Sequence, residues 1–228
     1  MNVDTFSDEK IIASWNKNAS PWISAIRNQQ IESRRLITNR AIVEAVLSCN
    51  PRTIIDLGCG EGWLAHTLTG RGLQVIGIDV VLALIEEARQ TVQADFRLLS
   101  YEDIANGKLT ASVDAIVCNF SLLGKESVEG ILRAAPGLLK QRGRFIIQTL
   151  HPLMACGDAP YQDGWREGSW AGFSDAFSDP APWYFRTLES WVSLLQEGKF
   201  QLRELHEPIH PKTRKPVSVI MIAELLDV

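Results

Sequence analysis

The chain has 228 residues, 46% hydrophobic and 22% charged, enough apolar material for a sizeable core, which excludes a disordered chain or a disulfide-stapled miniprotein. With 23 basic against 27 acidic side chains and a formal charge of -4, no broad electropositive face is implied, and nucleic acid is not an expected partner. No apolar run approaches the roughly 20 residues of a membrane span, and the opening MNVDTFSDEK is polar and acidic, unlike a secretory signal. Cys49, Cys59, Cys118 and Cys156 are scattered without a C-x-x-C and show no ligand spacing with the four histidines. They read as reduced thiols of a cytoplasmic chain without a metal centre.

In chain order, residues 1–50 read as a helical cap. Ile11, Ile12 and Trp15, then Leu36, Ile37, Ile42, Val43, Val46 and Leu47, recur at three-to-four-residue spacing. Asn50-Pro51 ends that run, since the residue before proline avoids the helical region. From there strands and helices alternate. Strands are expected at 53–57, 74–79, 96–99, 113–119 and 144–150, and helices from Trp63 to Leu68, Val81 to Thr91 and Val128 to Leu139. Strands with near-continuous apolar runs are buried on both faces, as parallel strands between crossover helices must be. The expected fold is α/β, a Rossmann-like doubly wound, mostly parallel seven-stranded sheet with an antiparallel terminal strand and helices on both faces.

Residues 151–186 interrupt this rhythm with Gly, Pro, Asp and eight aromatics, among them Trp165, Trp170, Phe173 and Trp183. An insertion of that length is expected to be functional or mobile. A helix from Leu188 to Glu197 and strands over 201–208 and 217–226 follow, the strands forming an antiparallel hairpin at one edge of the sheet. The organisation read from this is a single domain over 1–228, divided into the cap (1–50), a core (51–150), the insertion (151–186) and the terminal helix and hairpin (187–228).

The most informative stretch is Ile54-Ile55-Asp56-Leu57-Gly58-Cys59-Gly60-Glu61-Gly62. Glycines between a strand and a helix let the backbone turn sharply and approach a ligand. Seventeen residues past Gly62, Asp79 closes the second strand, where a carboxylate can accept hydrogen bonds from both ribose hydroxyls. A nucleoside cofactor is expected. The dinucleotide fingerprint G-x-G-x-x-G would require glycine at 63, where Trp63 stands. Asp56 and Glu61 would repel a pyrophosphate, whereas a ligand with a cationic amino-acid end tolerates them. S-adenosylmethionine has that character.

The segment DLGCGEG, followed by GIDVV and LIEEAR, closely resembles the class I S-adenosylmethionine-dependent methyltransferases over roughly residues 50–150 and the terminal strand pair. The resemblance implies that Gly58, Gly60 and Gly62 line the methionine moiety, with Asp56 close to its amino group. It implies that Asp79 holds the ribose hydroxyls and that Val80 touches the adenine. Ser100-Tyr101-Glu102 stands where the family reads the adenine amine, with serine in place of the family's aspartate. Cys118-Asn119-Phe120-Ser121 resembles the segment that brings backbone groups near the methionine end, so Asn119 and Phe120 join the candidate set.

The implied activity is methyl transfer from S-adenosylmethionine to a small-molecule acceptor, in a monomer or homodimer. The competing readings are a non-catalytic protein that binds the same cofactor for regulation, and a nicotinamide-dependent oxidoreductase, against which Trp63 counts. The sulfonium is an activated leaving group, so the protein mainly supplies alignment and desolvation. A base is needed only when the nucleophile carries a proton. His151, after the fifth strand, is the candidate base, with a histidine bonded to local backbone as the alternative. The aromatics of 151–186 are expected either to form a lid over the acceptor or to extend the core. Trp15, Trp22 and Arg34 resemble lid positions, and Arg166 and Arg186 are candidates for binding a carboxylate substrate.

Overall fold

The computed structural model describes residues 6–90 and 94–227. Five strands come first: β1 (Thr53–Leu57), β2 (Gln74–Asp79), β3 (Asp95–Leu98), β4 (Val113–Asn119) and β5 (Leu139–Thr149). The short β6 (Gly164–Arg166) and β7 (Trp183–Phe185) pair with each other, and β8 (Phe200–His206) and β9 (Val219–Leu225) follow. The main sheet has the order β3-β2-β1-β4-β5-β9-β8. Strands β1 to β5 run parallel, and β9 is antiparallel to both β5 and β8. The order reverses between β1 and β4, and in open α/β sheets the ligand crevice lies at such a point, outside the carboxyl ends of the strands.

Successive side chains of a strand point to opposite faces, and this divides the core in two. Ile55, Leu57, Ile116, Cys118, Phe145 and Ile147 bury one face under α6 (Glu126–Ala134) and α8 (Leu188–Glu197). Ile54, Val75, Ala115, Val117 and Ile146 bury the other under α2 (Asn39–Ser48), α3 (Trp63–Thr69) and α4 (Leu82–Arg89). Filling both faces is why the strand sequences are continuously apolar.

The expected helix over 128–139 ends earlier, at Ala134. Pro136 lies in a 3-10 turn over Ala135–Leu138, and β5 begins at Leu139 instead of Arg144. Register shifts between the Val113↔Leu139 and Ala115↔Arg144 pairs, so the polar residues Lys140 to Arg142 sit in a bulge that hid the strand's start. The expected helix end at Thr91 lies outside the described residues. A five-residue helix that the periodicity did not reveal, α5 (Tyr101–Ala105), starts at Ser100. There Ser100 Oγ accepts the Asp103 N–H and Asp103 accepts the Ser100 N–H, both at 3.0 Å. Its signal was the S-x-x-D spacing of a capping box.

Two further pieces roof the sheet's carboxyl edge. One is α1 (Asp8–Arg27), followed by a π-helical turn over Arg34–Thr38. The other is the 151–186 insertion, which begins with α7 (Pro152–Ala155) and folds on the β6–β7 ribbon. Asn18 joins them: its side chain donates to the Ser178 carbonyl at 2.7 Å and accepts the Ser178 N–H at 2.9 Å. Ser14 Oγ donates to the Asp179 carbonyl at 2.5 Å, and Lys17 pairs with the Asp179 carboxylate. Asp8 takes the N–H groups of Lys125 (2.9 Å) and Ser127 (2.7 Å), supplying from a distant segment the cap that α6 lacks locally. Among the described residues, no helix is long and apolar enough to cross a membrane.

Candidate functional site

The β1–α3 loop is shaped by three glycines in the left-handed region, Gly58 (φ +72), Gly60 (φ +58) and Gly62 (φ +85). At Gly58 a Cβ would collide with the Ser121 side chain and come within 2.8 Å of Tyr101 Oη, so the loop is pressed against the end of β4. Asp79 holds the loop from the other side. One carboxylate oxygen accepts the Gly60 N–H and the other the Val81 N–H, each at 2.9 Å.

Above this edge lies a cavity of about 970 Å³, at the upper end of the roughly 300–1,000 Å³ of ligand pockets. Its floor includes the expected Asp56, Gly58, Gly60, Asp79 and Val80, and also Ser100, Tyr101, Glu102, Asn119 and Phe120. Two expected residues are not in its lining. Gly62 is the residue before α3, and a Cβ there would meet Ala88 Cβ at 2.9 Å, so the glycine serves the packing of α3 against α4. His151 is buried (4% exposed), and its Nε2 lies 2.7 Å from Glu207 Oε1, away from the cavity. Leu150, the residue before it, lines the cavity. Neighbouring side chains of an extended segment point opposite ways, which turns His151 outward. Among the described residues no histidine lines the cavity. Arg186 is likewise committed elsewhere, donating to the carbonyls of Gly124 (2.8 Å) and Lys125 (3.1 Å), and Arg166 donates to the Pro160 carbonyl at 2.8 Å.

The floor is acidic and its charge is poorly satisfied. Asp56 is 1% exposed, and neither carboxylate oxygen has a hydrogen-bond partner. Burial, reinforced by the negative charges of Glu61 and Asp79, pushes its carboxyl up to about 7. Burial also raises Asp79, opposed by the Val81 and Gly60 N–H groups. Glu61 accepts a hydrogen bond from Trp22 Nε1 at 2.8 Å on one oxygen, while its other oxygen, like Asn119 Oδ1, is buried without a partner. These orphaned atoms call for a guest that donates hydrogen bonds or carries positive charge.

One protein cation answers this floor. The Arg34 guanidinium lies 5.4 Å from the ring centroids of both Trp22 and Trp63, and its Nε donates to Asn39 Oδ1 at 3.1 Å. The π turn aims it there, a distortion often found at functional sites. Burial lowers its pKa, opposed by Glu61 and Asp56. Trp63, at the position where a dinucleotide fold needs glycine, thus serves as a platform for Arg34. The aromatic roof continues from Trp22 through Trp15 (5.1 Å) to Trp170 (5.8 Å), with Phe173 (5.3 Å) and the buried Phe177 (4.7 Å) behind Trp170. From the insertion, Trp170 and Phe173 line the cavity, and Phe177 is buried beside them.

The contacts that sequence reasoning missed are Asp8 on α6 and Asn18 on Ser178. Both join residues more than a hundred positions apart, and no local pattern announces them.

A glycine loop after β1, a carboxylate closing β2 and a roofed crevice at the strand switch are arranged as in the Rossmann-like methyltransferase fold. Residues 54–143 match the family model described as "Methyltransferase domain". The chain is 35% identical over 114 residues to a ubiquinone biosynthesis O-methyltransferase of Xanthomonas oryzae, a match covering 48% of this chain and 47% of that protein. It thus spans about half the length of the curated relatives it matches. Among solved structures, the 1,6-didemethyltoxoflavin-N1-methyltransferase of Burkholderia thailandensis aligns with 100% of this chain and 94% of its own (TM-score 0.66, 17% identity). An S-adenosylmethionine-dependent methyltransferase structure from Listeria monocytogenes aligns with 77% of this chain and 92% of its own (TM-score 0.62, 20% identity). These likenesses show a common fold.

Proposed function

We propose that this chain transfers a methyl group from S-adenosylmethionine to a small-molecule acceptor. The observation that carries this reading is the buried, unpartnered Asp56 carboxylate in the floor beside the glycine loop. A pyrophosphate there would face Asp56, Glu61 and Asp79 together, whereas an ammonium-bearing nucleoside supplies the positive charge and donors they lack.

When bound, S-adenosylmethionine supplies a methyl group on a sulfonium leaving group. The residues of the chain fit its parts. Asp56 would take the ammonium, Arg34 the carboxylate, and Asp79 the ribose hydroxyls. Val80, Leu84, Leu99 and Tyr101 offer apolar walls for the adenine, with Ser100 and Glu102 as polar groups at that end. Gly58 and Gly60 present bare backbone, and Asn119 and Phe120 stand on the methionine side. The roof excludes water and aligns the acceptor, which is most of what this reaction asks of a protein. With no histidine in the lining, carboxylates are the groups placed to accept a proton from the nucleophile.

The reading extends to a monomeric or homodimeric cytoplasmic enzyme, without a nucleic-acid partner, in which the segments 1–50, 51–150, 151–186 and 187–228 act as one unit. A thermal-shift titration tests the cofactor: S-adenosylhomocysteine is expected to raise the melting temperature and NAD to leave it unchanged. Stabilisation by NAD alone would overturn the proposal.

A further inference from the structure

Near its end β5 carries a buried polar residue outside the cavity lining, Gln148, which is 1% exposed. Its main-chain carbonyl accepts the Phe120 N–H at 2.7 Å. Its side-chain Nε2 donates at 3.0 Å to Oγ of the fully buried Ser218. The remaining atom, Oε1, is buried with no hydrogen-bond partner among the described residues, and a buried amide oxygen calls for a donor.

Strand register supplies a neighbour for it. Val117 of β4 pairs with Ile146 of β5, and both bury the face under α2. Two residues on, Asn119 pairs with Gln148, so these side chains share that face. Asn119 lines the cavity, and its Oδ1 is also buried without a partner. Two adjacent amides thus each hold an oxygen that lacks a donor. Turning the Asn119 amide over about its last torsion exchanges Oδ1 with Nδ2 and answers both needs. Asp56 pairs with Val117 from the other side of β4, so its unpartnered carboxylate stands on this face as well.

Building on the methyl-transfer reading, we infer that Gln148 is a positioning residue for the amino-acid end of the cofactor. Anchored on Ser218, Gln148 Oε1 accepts a hydrogen bond from Asn119 Nδ2, which holds Asn119 Oδ1 toward the cavity. There Oδ1 and the Asp56 carboxylate take the ammonium of the methionine moiety, whose three N–H groups need several acceptors.

The test is a double-mutant cycle read by calorimetric titration with two ligands. One is S-adenosylhomocysteine; the other, 5′-methylthioadenosine, keeps the nucleoside and the thioether but has no ammonium. Gln148→Met keeps the side chain's length without its polar atoms, and the bond to Phe120, made by main chain, stays. It is expected to bind S-adenosylhomocysteine about fivefold to tenfold more weakly and 5′-methylthioadenosine as the wild type does. Ser218→Ala, a milder change, should show a smaller loss with the same ligand selectivity. Asn119→Ala should itself weaken S-adenosylhomocysteine, and in that background both losses should vanish, because Gln148 acts through Asn119. Equal weakening of the two ligands, losses that persist beside Asn119→Ala, or unchanged binding by Gln148→Met or Asn119→Ala would overturn the inference. If Gln148→Met does not fold, Ser218→Ala carries the cycle under the same criteria. The wild-type titration tells the two failures apart. If S-adenosylhomocysteine binds normally, those outcomes remove only the role of Gln148; if it does not bind, the functional reading falls and this inference with it.

Discussion

The Asp79 carboxylate accepts the Gly60 N–H at 2.9 Å, so the end of β2 and the glycine loop are held by one side chain. A ribose seated on Asp79 would share an acceptor that is already ordered. Asp79→Ala removes both the ligand contact and the loop's tether. Hydrogen bonds to charged groups contribute about 1.5–3 kcal/mol, so S-adenosylhomocysteine affinity is expected to fall more than tenfold. Calorimetric titration reads this, and circular dichroism should show the fold intact.

Asp56 makes the unliganded protein sensitive to pH. A carboxyl raised to about 7 in the folded state binds a proton that the unfolded chain, near pH 4, has already lost. Its stabilising contribution is complete below about pH 4 and is lost as pH rises from there through 7. Asp56→Asn is expected to flatten the fall in melting temperature between pH 5 and 7.5. A cationic guest lowers the pKa again, so binding of S-adenosylhomocysteine near pH 6.5 should release a proton. Calorimetry in two buffers of different ionisation enthalpy measures that release, and Asp56→Asn should abolish it.

Gly58→Ala is expected to destabilise the protein and to abolish cofactor binding. It places a Cβ at φ +72 against Ser121, and alanine where φ is positive costs more than about 1 kcal/mol. Adding Ser121→Gly removes the collision with Ser121 but leaves the 2.8 Å approach to Tyr101 Oη and the backbone strain. The double variant should recover part of the lost melting temperature.

His151→Ala should leave the pH profile of turnover unchanged, because the imidazole pairs with Glu207 outside the cavity. A displaced or flattened profile would restore the base role that the position after β5 had suggested.

Asn18 is fully buried, and both ends of its amide engage Ser178. Asn18→Ala strands the Ser178 N–H, a loss of about 1–3 kcal/mol for a buried group left unsatisfied, while the Ser178 carbonyl keeps its bond from Trp170 Nε1 at 3.0 Å. Hydrogen exchange across 167–182 should accelerate by tenfold or more, while the amides of β1 and β4 stay protected.

The sheet was largely legible because its signals are local. The boundaries of β1, β2 and β4 follow from apolar runs between glycine, proline and polar residues, and the structure places them at the expected residues. The floor of the cavity was legible for a related reason: strand ends and the loops after them are adjacent in any parallel sheet of this order. Legibility failed where direction decides. Whether Leu150 or His151 faces the crevice depends on strand parity at its edge, and Gly62 serves a helix contact instead of the cavity. The roof was legible only as composition, since Asn18–Ser178 and Asp8–Ser127 are pairings set by tertiary packing.

Asp8 joins the roof to the layer that covers the central sheet. Because it caps α6 while sitting at the start of the roof, α1 cannot swing aside without baring the amides at the head of α6. Lifting that end of α1 therefore breaks two hydrogen bonds to a helix seated on the central sheet.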